Sequence, residues 1–251
     1  MLARCSSAAL QGLDALEVTI EADITPGLPG LALVGLPDTA VHEARERVRA
    51  ALRNCGFRVP LTRVVVNLAP ADLRKAGPGF DLPIALGLLV ASGQLDPALL
   101  EGVWSSGELG LDGRLQPIRG ALAIALAARR HGARALLLPE AVAAEASLVG
   151  GLPIWSSSRL DQLVERLRGQ RPWPRPSAAG ASRSRLQQAA SRKPQEDLPA
   201  VRGQPLARRA LEIAAAGGHH LLLVGPPGGG KTMLARCLAG VVPALANEEA
   251  V

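Results

Sequence analysis

Apolar and polar residues alternate across 15–22, with Leu16, Val18 and Ile20 on one side and Glu17, Thr19 and Glu21 on the other. This is the period-two pattern of a half-buried strand. The stretch 31–34, set between glycines, reads as a second strand, and the β-branched run 62–68 as a third. Between them the period changes. From a cap at Asp38 or Thr39 to about residue 54, Val41, Ala44, Val48, Ala51 and Leu52 recur at helical spacing, and Gly56 follows the end. A Gly/Pro segment, 75–79, leads into an apolar helix over about 81–92. Two runs within 103–118 flank Asp112-Gly113, a pair that favours a two-residue type I′ hairpin. Then come a helix over 121–131 stopped by Gly132, a strand at 135–138, a helix over 140–148 and a strand at 153–155. The last helix opens on Ser158-x-x-Asp161 in the manner of a capping box. The predicted fold class is α/β.

Residues 169–195 break the pattern. They are rich in Pro, Ser, Ala and Arg, lack apolar periodicity, and read as a linker between a first domain, 1–168, and a second, 196–251. Charge sharpens the division. The net charge of +6 resides in the linker, which holds six cations (Arg171, Arg175, Arg183, Arg185, Arg192, Lys193) and no carboxylate, while both flanking regions are neutral. With Trp173, these cations are the best sequence candidates for contact with nucleic acid, by phosphate neutralisation and base stacking; a solvated tether is the plain alternative.

Composition excludes more than it selects. No apolar run is long enough to span a bilayer, so no membrane partner is expected. Cys5, Cys55 and Cys237 are far apart and odd in number, which argues against a disulfide framework or a metal site and fits a reducing cytoplasm. His219-His220 lacks a third ligand. Arg45, Arg49 and Arg53 form one helical stripe; because Glu43 and Glu46 stand at pairing distance from Arg47 and Arg49, a solvated charged face is expected, with phosphate contact as the alternative.

In the second domain a helix over 206–216 ends at Gly217-Gly218, a buried strand is expected at 221–224, and a helix follows from Lys231. Between strand and helix lies Gly225-Pro226-Pro227-Gly228-Gly229-Gly230-Lys231-Thr232, a complete G-x-x-x-x-G-K-[ST] loop in the context that motif requires. Glycines let backbone amides wrap an anion, and the helix N-terminus adds partial positive charge. Lys231 is the residue for the β- and γ-phosphates of ATP and Thr232 for Mg²⁺ through its hydroxyl. No Asp follows Thr232, and the only later acids are Glu248 and Glu249. A carboxylate to complete the magnesium site is thus missing, so the chain is expected to be part of a longer protein, and by itself to bind nucleotide weakly without turning it over.

Three stretches, Gly27-Leu-Pro-Gly-Leu-Ala-Leu-Val-Gly-Leu-Pro-Asp38, Asn67-Leu-Ala-Pro-Ala-Asp-Leu73 and Phe80-Asp-Leu-Pro-Ile-Ala85, resemble the ComM/YifB family of magnesium-chelatase-like AAA+ proteins. The likeness resumes at Val201-Arg-Gly-Gln204 and runs through 211–219 into the loop and Met233. The resemblance implies a Lon-protease-like first domain followed by the start of an AAA+ module. It also implies a homo-hexameric motor acting on single-stranded or branched DNA in branch migration, and a place beside the adenine for Val201 and Gln204. The positions matching the Lon serine and lysine are Ile84 and Leu122, and aliphatic side chains can neither attack a carbonyl nor take a proton. The first domain is therefore expected to be proteolytically inactive. The other readings are a magnesium-chelatase-type ATPase subunit and a non-catalytic nucleotide-binding fragment.

Overall fold

Strands β1 (Leu2–Gln11) and β2 (Asp14–Thr25) pair antiparallel from Leu2↔Asp23 to Gln11↔Asp14, turning through Gly12-Leu13 with Gly12 at φ +63°. The computed structural model to which they belong describes residues 2–174 and 197–242. Strand β1 has no counterpart among the predicted elements. Its residues, LARCSSAALQ, are mostly small, with little β-branched or aromatic signal. Small residues suit its place, because helix α2 (Asp81–Ala91) lies close above: a Cβ on Gly87 would stand 3.4 Å from Ala22 Cβ and 3.8 Å from Cys5 Sγ.

Five more strands complete a seven-stranded sheet: β3 (Gly30–Val34), β4 (Arg63–Ala69), β5 (Val103–Ser105), β8 (Ala135–Pro139) and β9 (Ile154–Ser157). The order is β3-β4-β2-β1-β5-β8-β9. Pairing is parallel except at β4·β2 and β2·β1, so β1 joins an antiparallel centre to a parallel half. One face is covered by α1 (Thr39–Asn54), α2 and α5 (Leu160–Leu167), which share a core with Val18, Ile20 and Ala22. The other is covered by α3 (Ala121–Arg130) and α4 (Glu140–Ala146), packed on Trp104, Leu136 and Leu138. In α1 the buried residues are Val41, Ala44, Val48, Ala51 and Leu52, the predicted stripe, and Asp38 caps it by accepting the Val41 amide at 2.8 Å. Every residue of α2 is buried, which is why its sequence after Asp81 is apolar all round.

Local chemistry overrides expectation at three places. The short pair β6 (Glu108–Leu109) and β7 (Leu115–Gln116) is joined by the five residues 110–114, not by a two-residue turn. Asp112 accepts the Arg114 amide at 3.0 Å, and Gly113, at φ +82°, lies where a Cβ would meet Cys55 Sγ. The capping box at Ser158 does not form: α5 begins at Leu160 and Asp161 instead holds Arg159 at 2.9 Å. And Trp173 is not free to stack on a base. It stacks on Trp155 at 4.9 Å, Arg134 lies 5.6 Å from the Trp155 ring, and Arg171 pairs with Glu165 at 3.5 Å. Residues 169–174 thus belong to the body of the first unit, while Arg175, Arg183, Arg185, Arg192 and Lys193 lie outside the described residues.

The chain divides into two compact units, Met1–Ser182 and Arg183–Val251. The described part of the second holds a 3-10 turn (Leu198–Ala200) and two helices, Pro205–Gly217 and Lys231–Val241, around Leu198, Val201, Leu211, Leu234 and Cys237. The expected buried strand at 221–224 is absent: the stretch makes no ladder, and Leu222 and Val224 are each 84% exposed. An extended segment is a strand only through a neighbour's hydrogen bonds, and no strand forms among the described residues of this unit. Among the described residues no helix is long and apolar enough to cross a membrane.

Candidate nucleotide-binding site

The loop 225–230 enters the helix Lys231–Val241 through Gly230, which caps it at φ +74°, and Gly228 stands at φ +82°. Both angles suit glycine and strain other residues. A Cβ at Gly229 would press to 3.3 Å from Pro226 O. The turn is closed internally by Gly229 N–H on Pro226 O at 3.4 Å, and the helix by Leu234 N–H on Gly230 O at 3.0 Å. The amides of Gly228, Gly230, Lys231, Thr232 and Met233 have no acceptor among the described residues. These donors are gathered on one turn and one helix start, the arrangement that binds oxyanions. Lys231 donates from Nζ to Gly225 O at 2.8 Å and Pro226 O at 2.7 Å, which holds its ammonium within the span of the loop. Thr232 and the loop residues Gly225, Pro226, Pro227 and Gly228 are exposed. The residues present therefore fit a nucleoside triphosphate and its magnesium: free amides, one cation and one accessible hydroxyl.

The two positions expected beside the adenine differ in placement. Gln204 reaches the loop, its Nε2 lying 3.5 Å from Gly229 O, and it holds the left-handed conformation, φ +55°, at the start of the helix Pro205–Gly217. Val201 is 1% exposed and packs with Leu234 and Cys237 of the loop's own helix. Its side chain is part of the core, and its amide donates to Leu198 O at 3.1 Å. Glu248 and Glu249 lie outside the described residues.

In the first unit, Ile84 is fully buried in the cluster with α1, while Leu122 packs against the cluster on the other sheet face. The motif residues around them are structural. Asp81 is fully buried and takes a forked ion pair from Arg47, Nε to Oδ2 at 2.7 Å and Nη2 to Oδ1 at 3.0 Å, plus the Leu109 amide at 3.1 Å. Burial pushes its carboxyl above the usual aspartate range against the pull of these donors. Asp38 spans two loops, capping α1 and accepting the Gly77 amide at 3.1 Å. Gly35, at φ +99°, passes so close to β4 that a Cβ would collide with Leu68 O. Of the pairs expected along α1, Glu43–Arg47 forms at 3.6 Å, whereas Glu46–Arg49 does not. Among the described residues no cluster of His, Cys, Asp and Glu could hold a metal.

Over its whole length this sequence is 45% identical, across 250 residues, to a protein of Salmonella typhimurium carrying the name YifB. The chain belongs to the ComM/YifB family. The competence protein ComM of Haemophilus influenzae is 44% identical over 253 residues, covering all of this chain and 48% of that protein. YifB of Escherichia coli K12 is 44% identical over 240 residues, 96% of this chain and 46% of that protein. The chain therefore spans about half the length of the curated relatives it matches. Two family models match as well: one described as subunit ChlI of Mg-chelatase over residues 20–142, the other as magnesium chelatase, subunit ChlI, over residues 197–251. The second holds the whole loop 225–232, and the first holds the Gly35, Asp38 and Asp81 contacts. Within the ComM/YifB family the likeness thus extends over both units.

Proposed function

We propose that this chain carries the nucleotide-binding element of a ComM/YifB-type ATPase, a cytoplasmic homo-hexameric motor that remodels single-stranded or branched DNA during recombination. The observation that carries the reading is the loop 225–232, whose unshared amides and single ammonium converge at the start of one helix. In this reading the amides of Gly228, Gly230, Lys231 and Met233 bind the phosphates, and Gly225, Pro226, Pro227 and Gly229 shape the turn. Lys231 offsets charge on the β- and γ-phosphates, and Thr232 holds Mg²⁺ through its hydroxyl. The backbone of Val201 and the amide of Gln204 border the base. ATP with Mg²⁺ supplies the phosphoryl group whose transfer drives the motor.

Fluorescence of a mant-labelled ATP analogue tests the site directly. The 251-residue chain binds it with Mg²⁺ present, and Lys231→Ala weakens binding at least tenfold; equal binding by the variant would sink the assignment. Sustained hydrolysis is not expected of this chain, since no Asp follows Thr232. A second reading, an ATPase subunit of a magnesium chelatase, is favoured by the descriptions of both family models. In a chain extended by the sequence the relatives carry beyond the matched part, DNA-stimulated ATP hydrolysis supports the motor, and metal insertion into a porphyrin with partner subunits supports the chelatase.

A further inference from the structure

Arg45 and Arg63 line one groove of about 480 Å³ whose floor includes Gly27, Gly30 and Val64. Arg49 lines the adjoining pocket, which shares Gly30, Leu31 and Val64 with it, and no carboxylate lines either. The three cations come from two elements, Arg45 and Arg49 from consecutive turns of α1 and Arg63 from the first position of β4. Arg53 continues the row one turn further along α1, each step rising about 6 Å.

The fold leaves these four arginines, like several others in the chain, without an ion-pair partner among the described residues; what sets Arg45, Arg49 and Arg63 apart is that they stand together along one groove. Among the described residues none of Arg49, Arg53 and Arg63 makes a side-chain hydrogen bond or an ion pair, and Arg45 has only a bond from Nε to His42 O at 3.1 Å on its own helix. Arg47, between them in sequence, is bound to Asp81 and Glu43. Guarding the sheet edge does not account for the row. The edge strand β3, sequence GLALV, carries no charge itself, and the cations stand on its neighbours.

An open groove with glycines and unpaired arginines among its lining complements a chain of phosphates, which arginine binds in a fork. Leu28 and Leu61, 89% and 76% exposed, add apolar surface on the segments leading into β3 and β4. We propose that this groove is a nucleic-acid contact on the N-terminal unit, in which Arg45, Arg49 and Arg63, extended by Arg53, bind successive phosphates of a single strand. The proposal rests on the DNA reading above and adds a site that works without nucleotide.

The test is fluorescence anisotropy of a labelled thirty-residue oligo-dT with the 251-residue chain over a salt series, without ATP. Replacing Arg45, Arg49 and Arg63 together by Gln is expected to weaken binding at least tenfold. It should also flatten the dependence of log K on log salt by about 2, at about 0.7 for each phosphate no longer neutralised. The triple Lys variant, which keeps the charge, should recover most of the slope. A circular-dichroism melt matching that of the parent chain shows that the Gln variant is folded; if it is not, the single variants Arg45→Gln and Arg63→Gln are read instead, each expected to lower the slope by about 0.7. An unchanged affinity and slope would overturn the groove, as would no binding by the parent chain. Equal competition by a poly-glutamate peptide would overturn nucleic acid as its occupant. The mant-ATP measurement with Lys231→Ala is independent of all of these, so loss of the groove and loss of the nucleotide site are told apart.

Discussion

Asp81 and Arg47 meet where α1 packs against the start of α2, thirty-four residues apart in sequence, and their pairing sets the sharpest expectation at the scale of single residues. A carboxylate with no exposure and one guanidinium partner tolerates loss of that partner badly. Arg47→Met is expected to cost about 3 kcal/mol or more, read from urea denaturation, because it strands a buried charge. Asp81→Asn in the same background should recover part of the loss by removing that charge. Glu21 gives a pH expectation. Hydrogen bonds from Asn67 at 3.1 Å and Arg4 at 3.0 Å hold its carboxyl below its ordinary 4.5. A lowered folded-state value means that the stability Glu21 lends is complete above about pH 4.5 and is lost as pH falls through the folded value. In Asn67→Ala the carboxyl should titrate closer to 4.5, and the acid limb of a stability-against-pH curve should move up; a titration unchanged from the parent would refute the assignment. The sequence displayed Lys231 and Thr232 because one contiguous motif encodes them. It did not display the Asp81–Arg47 pair or the place of Arg63 beside Arg45, because both arise from packing between distant elements.

At the scale of elements, periodic signals read true where burial is one-sided and failed where it is not. The stripe of α1 was legible residue by residue, since one face meets the core and the other meets water. Strand β1 was not, because small residues serve a strand pressed beneath a helix and carry little propensity of their own. The stretch 221–224 misled in the opposite way: its apolar run has strand composition but no ladder partner among the described residues. The segment 169–174 read as linker, yet Trp173 stacks on Trp155 and the Pro172 carbonyl accepts from Arg166 at 3.2 Å. Trp173→Ala is therefore expected to lower the stability of the first unit by about 1 kcal/mol beyond the area it uncovers. It should also change the emission of Trp155, now exposed on that face. An unaltered melt and spectrum would show that the segment is merely adjacent.

For the whole molecule, α/β architecture and the glycine loop leading into the helix Lys231–Val241 were both readable, and family likeness extends over both units. The strand order was not readable, since nothing in 2–11 announces that it lies between β2 and β5. Its contact with β5 is a single register pair, Ser6↔Trp104, whereas it pairs with β2 along its entire length. Deleting residues 2–11 is expected to abolish the cooperative unfolding transition of the first unit; a retained transition with a native-like far-ultraviolet spectrum would show that β5 can close directly on β2. Strand β1 is thus a keystone and not a fringe: with it gone, β2 and β5 would each be left with a raw, unpaired edge, two incomplete half-sheets in place of one slightly narrower sheet.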